Sequence, residues 1–417
     1  MRPTRFLSLL LTLLAFTTLS AHDLIDEEKN HLLFPANHVR FDSLQQKILQ
    51  IQTSGEGHLN VLHIGGSHVQ AGYFSHRLRQ HFCNTLPQSY GQRGILFPWK
   101  AINTNAPTHY YIAHTGHWKR VRCIDQTHEV PLGLSGAAAI TSDTLASLTV
   151  YLRDHAEQWA FNRLRVLGQN LSQNKVEPVI IMNNGDTLRH TEYDEQLQSY
   201  LFQLPEKTTD CQVAFCGMEQ DSSAFCLRGL WVENDNPGVT YTAAGVNGAA
   251  VPSWLRCERF QQELSALCPP DLVIFGIGIN DANVPHGKFD TEKFKQNYRD
   301  LIARLQAANP EVALLFVTNN DCYLRVGKQK KTFNKNTRLV QQAMMELATE
   351  YDAAVWDQYE IMGGYGSSDH WVKKKMMNRD HIHFLKDGYE LLADKLWESF
   401  SGQHEEMTDT AANEEED

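Results

Sequence analysis

The stretch Asn60-Val61-Leu62-His63-Ile64-Gly65-Gly66-Ser67-His68-Val69-Gln70-Ala71-Gly72 decides the fold. Val61 to Ile64 form a short apolar run that reads as a buried strand, two glycines follow, and the pattern turns helical over about 70–82. A strand that passes through a tight turn into a helix is the opening unit of an α/β sheet. Its geometry leaves the Ser67 hydroxyl at the carboxyl edge of the sheet, beside a helix N-terminus whose free N–H groups favour negative charge. Taken alone, Gly-Gly-Ser would equally suit a serine that caps a helix after a glycine turn.

The alternation returns late in the chain. Helices are expected over 254–267, 291–308, 332–351 and 386–399, with strands over 272–275, 312–317 and 353–356 between them. This order predicts a parallel sheet covered on both faces by helices. Between 100 and 238 the texture changes: Leu148, Val150 and Leu152 alternate with Thr149, Tyr151 and Arg153, and runs such as Val179-Ile180-Ile181 and Val213-Ala214-Phe215 sit among turn-forming residues. These read as antiparallel strands, so a β-sandwich-like module is expected at 100–238, inserted between the parts of the α/β domain at 22–99 and 239–402.

The ends of the chain differ from its body. Arg2 and Arg5, the apolar run 6–16 and Ser20-Ala21 have the three-part layout of a secretory signal over 1–21, which leads to the expectation of a periplasmic or secreted protein. Later apolar stretches are too short to span a membrane. Residues 403–417 are rich in acids and are expected to form a disordered tail. The net charge of -11 is concentrated there, and the mildly acidic remainder argues against a nucleic-acid surface. None of the eight cysteines stands in a CxxC pair suited to zinc; Cys211, Cys216 and Cys226 are close enough in sequence for a disulfide, with buried free thiols equally compatible.

Four places carry residues suited to one chemistry. A serine hydroxyl needs a base to take its proton and donors to receive the charge that develops on the attacked carbonyl. Ser67 is the candidate nucleophile. In Asp380-His381-Ile382-His383, an Asp three positions before a His can fold back onto the imidazole Nδ1 and leave Nε2 for the serine, whereas a metal reading lacks further clustered ligands. Gly276-Ile277-Gly278-Ile279-Asn280-Asp281 follows an apolar strand, so the Asn280 amide can face a carbonyl oxygen. In Gly245-Val246-Asn247-Gly248-Ala249 the backbone N–H of Gly248 can join it.

In this order the blocks HIGGSHVQAG, GVNGA, GIGIND and DHIH resemble the SGNH, or GDSL-type, hydrolase superfamily. The resemblance implies a flavodoxin-like three-layer α/β/α sandwich, Ser67 as nucleophile, His383 as base oriented by Asp380, and an oxyanion hole of Ser67, Gly248 and Asn280, with no metal or other cofactor. Gly66 stands where the family usually has Asp, which removes a local acceptor from the serine loop. The β-rich interruption resembles the bacterial peptidoglycan and polysaccharide O-acetylesterase branch, in which a carbohydrate-binding-like module is inserted. An acetylated glycan is therefore the expected substrate. A lipase- or thioesterase-like acyl hydrolase and a glycan-binding protein with a degenerate site are the alternatives. The basic stretch 325–335 and Lys373 to Lys375 are candidates for meeting substrate carboxylates.

Overall fold

The computed structural model describes residues 23–86, 91–182, 184–219, 222–327 and 330–414, with side chains described to 402. The signal expected at 1–21 lies outside these residues. Seven strands form the central sheet: β1 (Leu32–Leu33), β2 (His58–Gly65), β3 (Gly91–Gln92), β4 (Gly238–Gly245), β5 (Leu272–Gly276), β6 (Ala313–Val317) and β7 (Ala354–Trp356). Their order across the sheet is β1-β7-β6-β5-β2-β4-β3, and all neighbours run parallel except the short edge pair of β1 with β7. β5 and β6 are apolar along nearly their whole length because both faces are covered.

The helices are α1 (Val39–Ser54), α2 (Ser67–Ala71), α3 (Tyr73–Asn84), α4 (Val251–Trp254), α5 (Phe260–Leu267), α6 (Thr291–Ala308), α7 (Asn336–Tyr351), α8 (Gln358–Ile361), α9 (Ser367–Lys373) and α10 (Lys386–Glu414). Phe275 of β5 packs on Tyr298 of α6 with ring centroids 5.3 Å apart. It is in register with Ile64, so the preceding residue of β2, His63, points to the other face, where its ring meets Phe74 of α3 at 5.7 Å. On that second face α1, α3 and α10 join through Phe41, Phe82 and Phe400. The expected three-layer α/β/α sandwich is thus the observed architecture.

The β-rich part consists of two antiparallel sheets. One is five-stranded, in the order Thr187–Leu188, Glu177–Ile181, Asp210–Cys216, Ser147–Leu152, Tyr110–Thr115. The other is built around Phe161–Asn170 and Phe225–Glu233. Phe215 of the first sheet meets Phe225 of the second at 5.0 Å, and Leu148, Val150, Leu164 and Val166 are fully buried. The second sheet also takes in Gly94–Leu96, which pairs with Phe225–Glu233 ahead of residue 100.

Several local expectations differ from the structure for identifiable reasons. The helix expected over 70–82 begins at Ser67 and breaks at Gly72, whose φ is +84° and whose missing Cβ would lie 2.6 Å from Pro107 and His109. The helix expected over 254–267 is split into α4 and α5, because the intervening turn receives the β-rich part: Arg259 N–H donates to Leu132 O at 2.9 Å and Leu132 N–H to Glu258 Oε2 at 3.0 Å. Thr332 and Phe333, the first residues of the helix expected over 332–351, instead pair with Leu324 and Tyr323 in an antiparallel ladder. At the C-terminus α10 continues to Glu414, past the boundary at 402 expected for the α/β domain. All eight cysteines are free, seven buried and Cys216 exposed.

A fully buried arginine–glutamate pair joins the two parts of the molecule. Arg228, in the β-rich sheet, donates from Nε to Glu263 Oε1 of α5 at 2.8 Å, and both side chains are completely buried. Leu134 N–H also donates to Glu263, and the Leu197 carbonyl accepts from Arg228. Such a pair is costly to break rather than strongly stabilising to have. Glu263→Gln is expected to lower stability by about 3–5 kcal/mol, because it leaves the guanidinium buried without its counter-charge. Equilibrium urea unfolding of the variant against the parent measures the loss, and an unchanged midpoint would contradict this account.

Candidate active site

Three adjacent strands end at one level. β2 is central, and Gly65 registers with Gly245 of β4 on one side and Gly276 of β5 on the other. None of the three has space for a side chain. A Cβ on Gly65 would lie 2.3 Å from Val69, one on Gly245 2.4 Å from the Gln70 nitrogen, and one on Gly276 3.0 Å from His63 Nε2. The absence of side chains lets α2 sit directly on the strand ends, with Ser67 as its first residue. Ser67, Gly248 and Asn280 therefore leave the same rim from neighbouring strands, the edge at which α/β sheets bind ligands.

His383 reaches this rim from a turn far along the chain. Its Nε2 lies 2.8 Å from Ser67 Oγ, and its Nδ1 lies 2.7 Å from Asp380 Oδ2. The other carboxylate oxygen, Oδ1, accepts the backbone N–H groups of Ile382 at 2.9 Å and His383 at 3.0 Å. Burial alone would raise the Asp380 carboxyl, but the hydrogen bonds from His383 and from these two backbone groups outweigh it and hold the acid well below the usual carboxylate range. A charged Asp380 fixes the imidazole with its proton on Nδ1 and leaves Nε2 as the acceptor toward the serine.

The remaining predicted residues gather beside Gly66, next to the serine. Asn280 Nδ2 donates to Ala249 O at 2.9 Å, which leaves a second amide hydrogen on the same nitrogen. Gly248 takes φ +83° in the turn after β4. Its neighbours are pinned by Asn247 N–H donating to Gln70 Oε1 at 2.6 Å and Ala249 N–H to Val246 O at 2.9 Å, while the Gly248 N–H has no partner among the described residues. Gly66 is the residue that lets these parts close up: a Cβ there would lie 3.2 Å from both Ala249 O and Asn280 Nδ2. The serine loop is held without an acid at that position. Gly65 O accepts from Trp254 Nε1 and from Val246 N–H, each at 3.3 Å, and Gly66 O accepts from Gln70 N–H at 3.0 Å.

Four side chains near the site escaped the sequence reading. Gln70 ties the serine helix to the glycine turn and, through Nε2, to the Asn105 carbonyl at 2.6 Å. Its position three residues after Ser67 was the available signal. His68 packs beside His383, ring centroids 5.3 Å apart, and shares a 2.9 Å hydrogen bond between Nδ1 and the Tyr389 hydroxyl. Burial, reinforced by the His383 imidazole, pushes His68 down to about 3, so it stays neutral beside the Ser67–His383 hydrogen bond. Asp281, half-buried next to Asn280, accepts from Val251 N–H at 3.1 Å, which anchors the start of α4. Burial pushes its carboxyl up to about 7 against the lowering effect of that bond.

The two basic segments take different positions. The strand Tyr323–Arg325, paired with Lys331–Phe333, lies against the histidine turn: Tyr323 N–H donates to His381 O at 3.2 Å and the two rings stack at 3.9 Å. Lys374 instead bonds Asp23 Oδ2 at 3.0 Å. A cavity of about 40 Å³ adjoins the site between His68, Gly276, Ile279 and Phe384.

Residues 220–391 match the sequence model of the GDSL-like Lipase/Acylhydrolase family, which bears out the resemblance and the expectation of a carboxylic ester hydrolase. No curated protein matches the chain. Among solved structures, a peptidoglycan O-acetylesterase superposes with a TM-score of 0.69 at 20% identity, covering 90% of this chain and 99% of that one. The fold, β-rich part included, is therefore shared with that protein. An acetyl xylan esterase (TM-score 0.30, 20% identity, 39% of this chain and 81% of that one) and a GDSL-like lipase from Bacteroides thetaiotaomicron VPI-5482 (TM-score 0.29, 13% identity, 40% and 76%) are also similar. Among the described residues no helix is long and apolar enough to cross a membrane.

The raised Asp281 gives a pH signature. Between the ordinary value of 3.8 and about 7, the folded protein keeps a proton there that the unfolded chain has released. Its contribution to stability is full below that window and is lost as pH rises through it. Asp281→Asn should remove this component, so the stability difference between parent and variant, measured by urea unfolding from pH 4 to 8, should move against the parent by about 1.4 kcal/mol per unit of elevation and then level off. A difference that is flat with pH would refute it.

Proposed function

We propose that the protein is an exported serine esterase that removes O-acetyl groups from peptidoglycan or another glycan through an acyl-enzyme on Ser67. The observation that carries this reading is the unbroken hydrogen-bonded chain from Ser67 Oγ through His383 to Asp380. In the proposed cycle His383 Nε2 takes the serine proton as Oγ attacks the acetyl carbonyl, and the negative charge moves onto the carbonyl oxygen. The free N–H groups of Ser67 and Gly248 and the second amide hydrogen of Asn280 receive that charge. The imidazolium, stabilised by Asp380, returns its proton to the departing sugar oxygen. Water then repeats the steps against the acyl-enzyme and releases acetate.

Three observations support an acetylated glycan. The shared architecture extends to the β-rich part of a peptidoglycan O-acetylesterase. Export rests on the N-terminal layout of 1–21, and an extracytoplasmic glycan is the substrate class met there. The exposed lysines of the 330–335 segment border the histidine turn, where a muramic or uronic carboxylate would find opposite charge.

Acetate release from a panel of acetylated glycans, with p-nitrophenyl esters of two to twelve carbons alongside, tests the reading. Activity should fall steeply beyond the shortest acyl chains. Ser67→Ala should abolish turnover, Asn280→Ala should lower kcat by about 10²- to 10³-fold, and Asp380→Asn by about 10⁴-fold. Wild-type protein that turns over none of these esters, or a Ser67→Ala variant as active as the parent, would end the proposal.

Gly66 supplies a separate test. Introducing the acid found in related blocks, Gly66→Asp, puts a Cβ 3.2 Å from Asn280 Nδ2 and Ala249 O. The amide must yield, and kcat should fall about 10-fold with KM little changed. A gain in kcat would show that the loop needs the acid more than the space.

A further inference from the structure

Two arginines lie buried where the β-rich part meets the central sheet, away from the Ser67–His383 pair. Arg79 of α3 is 2% exposed and Arg93, just ahead of the strand Gly94–Leu96, is 1% exposed. Arg79 is well bonded: Nε and Nη2 both donate to Tyr241 O at 3.1 Å, and Nη1 donates to His76 Nδ1 at 3.1 Å. Arg93 is not. Its Nη2 donates to Arg153 O at 3.3 Å and its guanidinium lies over the Trp159 ring at 5.1 Å, but Nε and Nη1 are buried with no partner among the described residues. Neither arginine forms an ion pair with a carboxylate among those residues. Asp154 acts on Arg93 only at longer range.

A small cavity of about 20 Å³ is lined by both arginines with Ser75, His109, Tyr110 and Gly245. That volume admits a small body such as a water molecule or a monatomic ion. Water in the cavity would meet the orphaned N–H groups but would leave two like charges facing each other in a medium of low dielectric. The neighbouring imidazoles add no negative charge, since burial and the arginines together push His76 and His109 far down and keep them neutral. We propose that this cavity is a binding site for a single monatomic anion, chloride, held between the Arg79 and Arg93 guanidinium groups. The ion clamps the β-rich part, through Arg93 and its bond to Arg153, onto α3 and β4, which Arg79 holds through Tyr241.

Bromide replaces chloride and scatters anomalously, so crystals of the full chain grown in sodium bromide should show one anomalous peak between the two guanidinium groups. In solution, thermal unfolding in sodium chloride against sodium gluconate at equal ionic strength should show Tm higher in chloride by about 2 °C or more, saturating with concentration. Arg93→Met should erase the difference between the salts. If that variant does not fold, the bromide crystals of the parent protein still decide the question. Absence of an anomalous peak at this place, or identical Tm in the two salts for the parent, overturns the proposal.

Discussion

The equal reach of three strands organises this molecule. Gly65, Gly245 and Gly276 stand side by side at the ends of β2, β4 and β5, and a methyl group on any of them would press on the serine helix, its first turn or the His63 ring. Removing side chains at that level brings a helix N-terminus flush with the sheet edge. The residues that follow the glycines by two to four positions, Ser67, Gly248 and Asn280, then share one rim without any long-range adjustment. Close packing sets the arrangement, and the chemistry is placed upon it.

Charge on this rim is held by short, local means. Asp380 is kept ionised by an imidazole and two backbone N–H groups within three residues of itself, which makes the histidine turn a preassembled unit. Burial shifts the neighbouring titratable groups toward their neutral forms: His68 stays neutral against Tyr389, and the Asp281 carboxyl next to Asn280 is pushed up to about 7. One imidazole thus faces the serine with a carboxylate behind it, while the second imidazole alongside serves packing and hydrogen bonding. The glycine at 66 fits the same economy of space, because the loop around Ser67 is tied by backbone carbonyls that accept from Trp254, Val246 and Gln70.

The β-rich part is fastened to the α/β part by buried polar groups as well as by apolar packing. Arg228 and Glu263 meet fully buried across the junction, Gln70 reaches from the serine helix to Asn105, and the Arg79–Arg93 cluster lies behind the same helix. Buried polar contacts specify one docking geometry where apolar surfaces alone would permit several. The position of residues 104–109 relative to Ser67 is therefore set by the same contacts that hold the two parts together.

Local pattern was enough to read much of this from the chain. The apolar run 61–64 with its two glycines, the helix–strand alternation after 254, and the Asp380–His383 spacing are short-range features, and each survives as strand end, layer or hydrogen bond. Periodicity failed where a distant segment intrudes: Pro107 and His109 at Gly72, Leu132 at the turn between α4 and α5, and Tyr323 and Leu324 against 332–333. By itself the sequence determined which residue types stand at the ends of which strands, because that depends on neighbours within a few positions. Only the tertiary structure decided that Ser67 and His383, 316 positions apart, meet at 2.8 Å, and which charges are buried, because these depend on how distant segments pack.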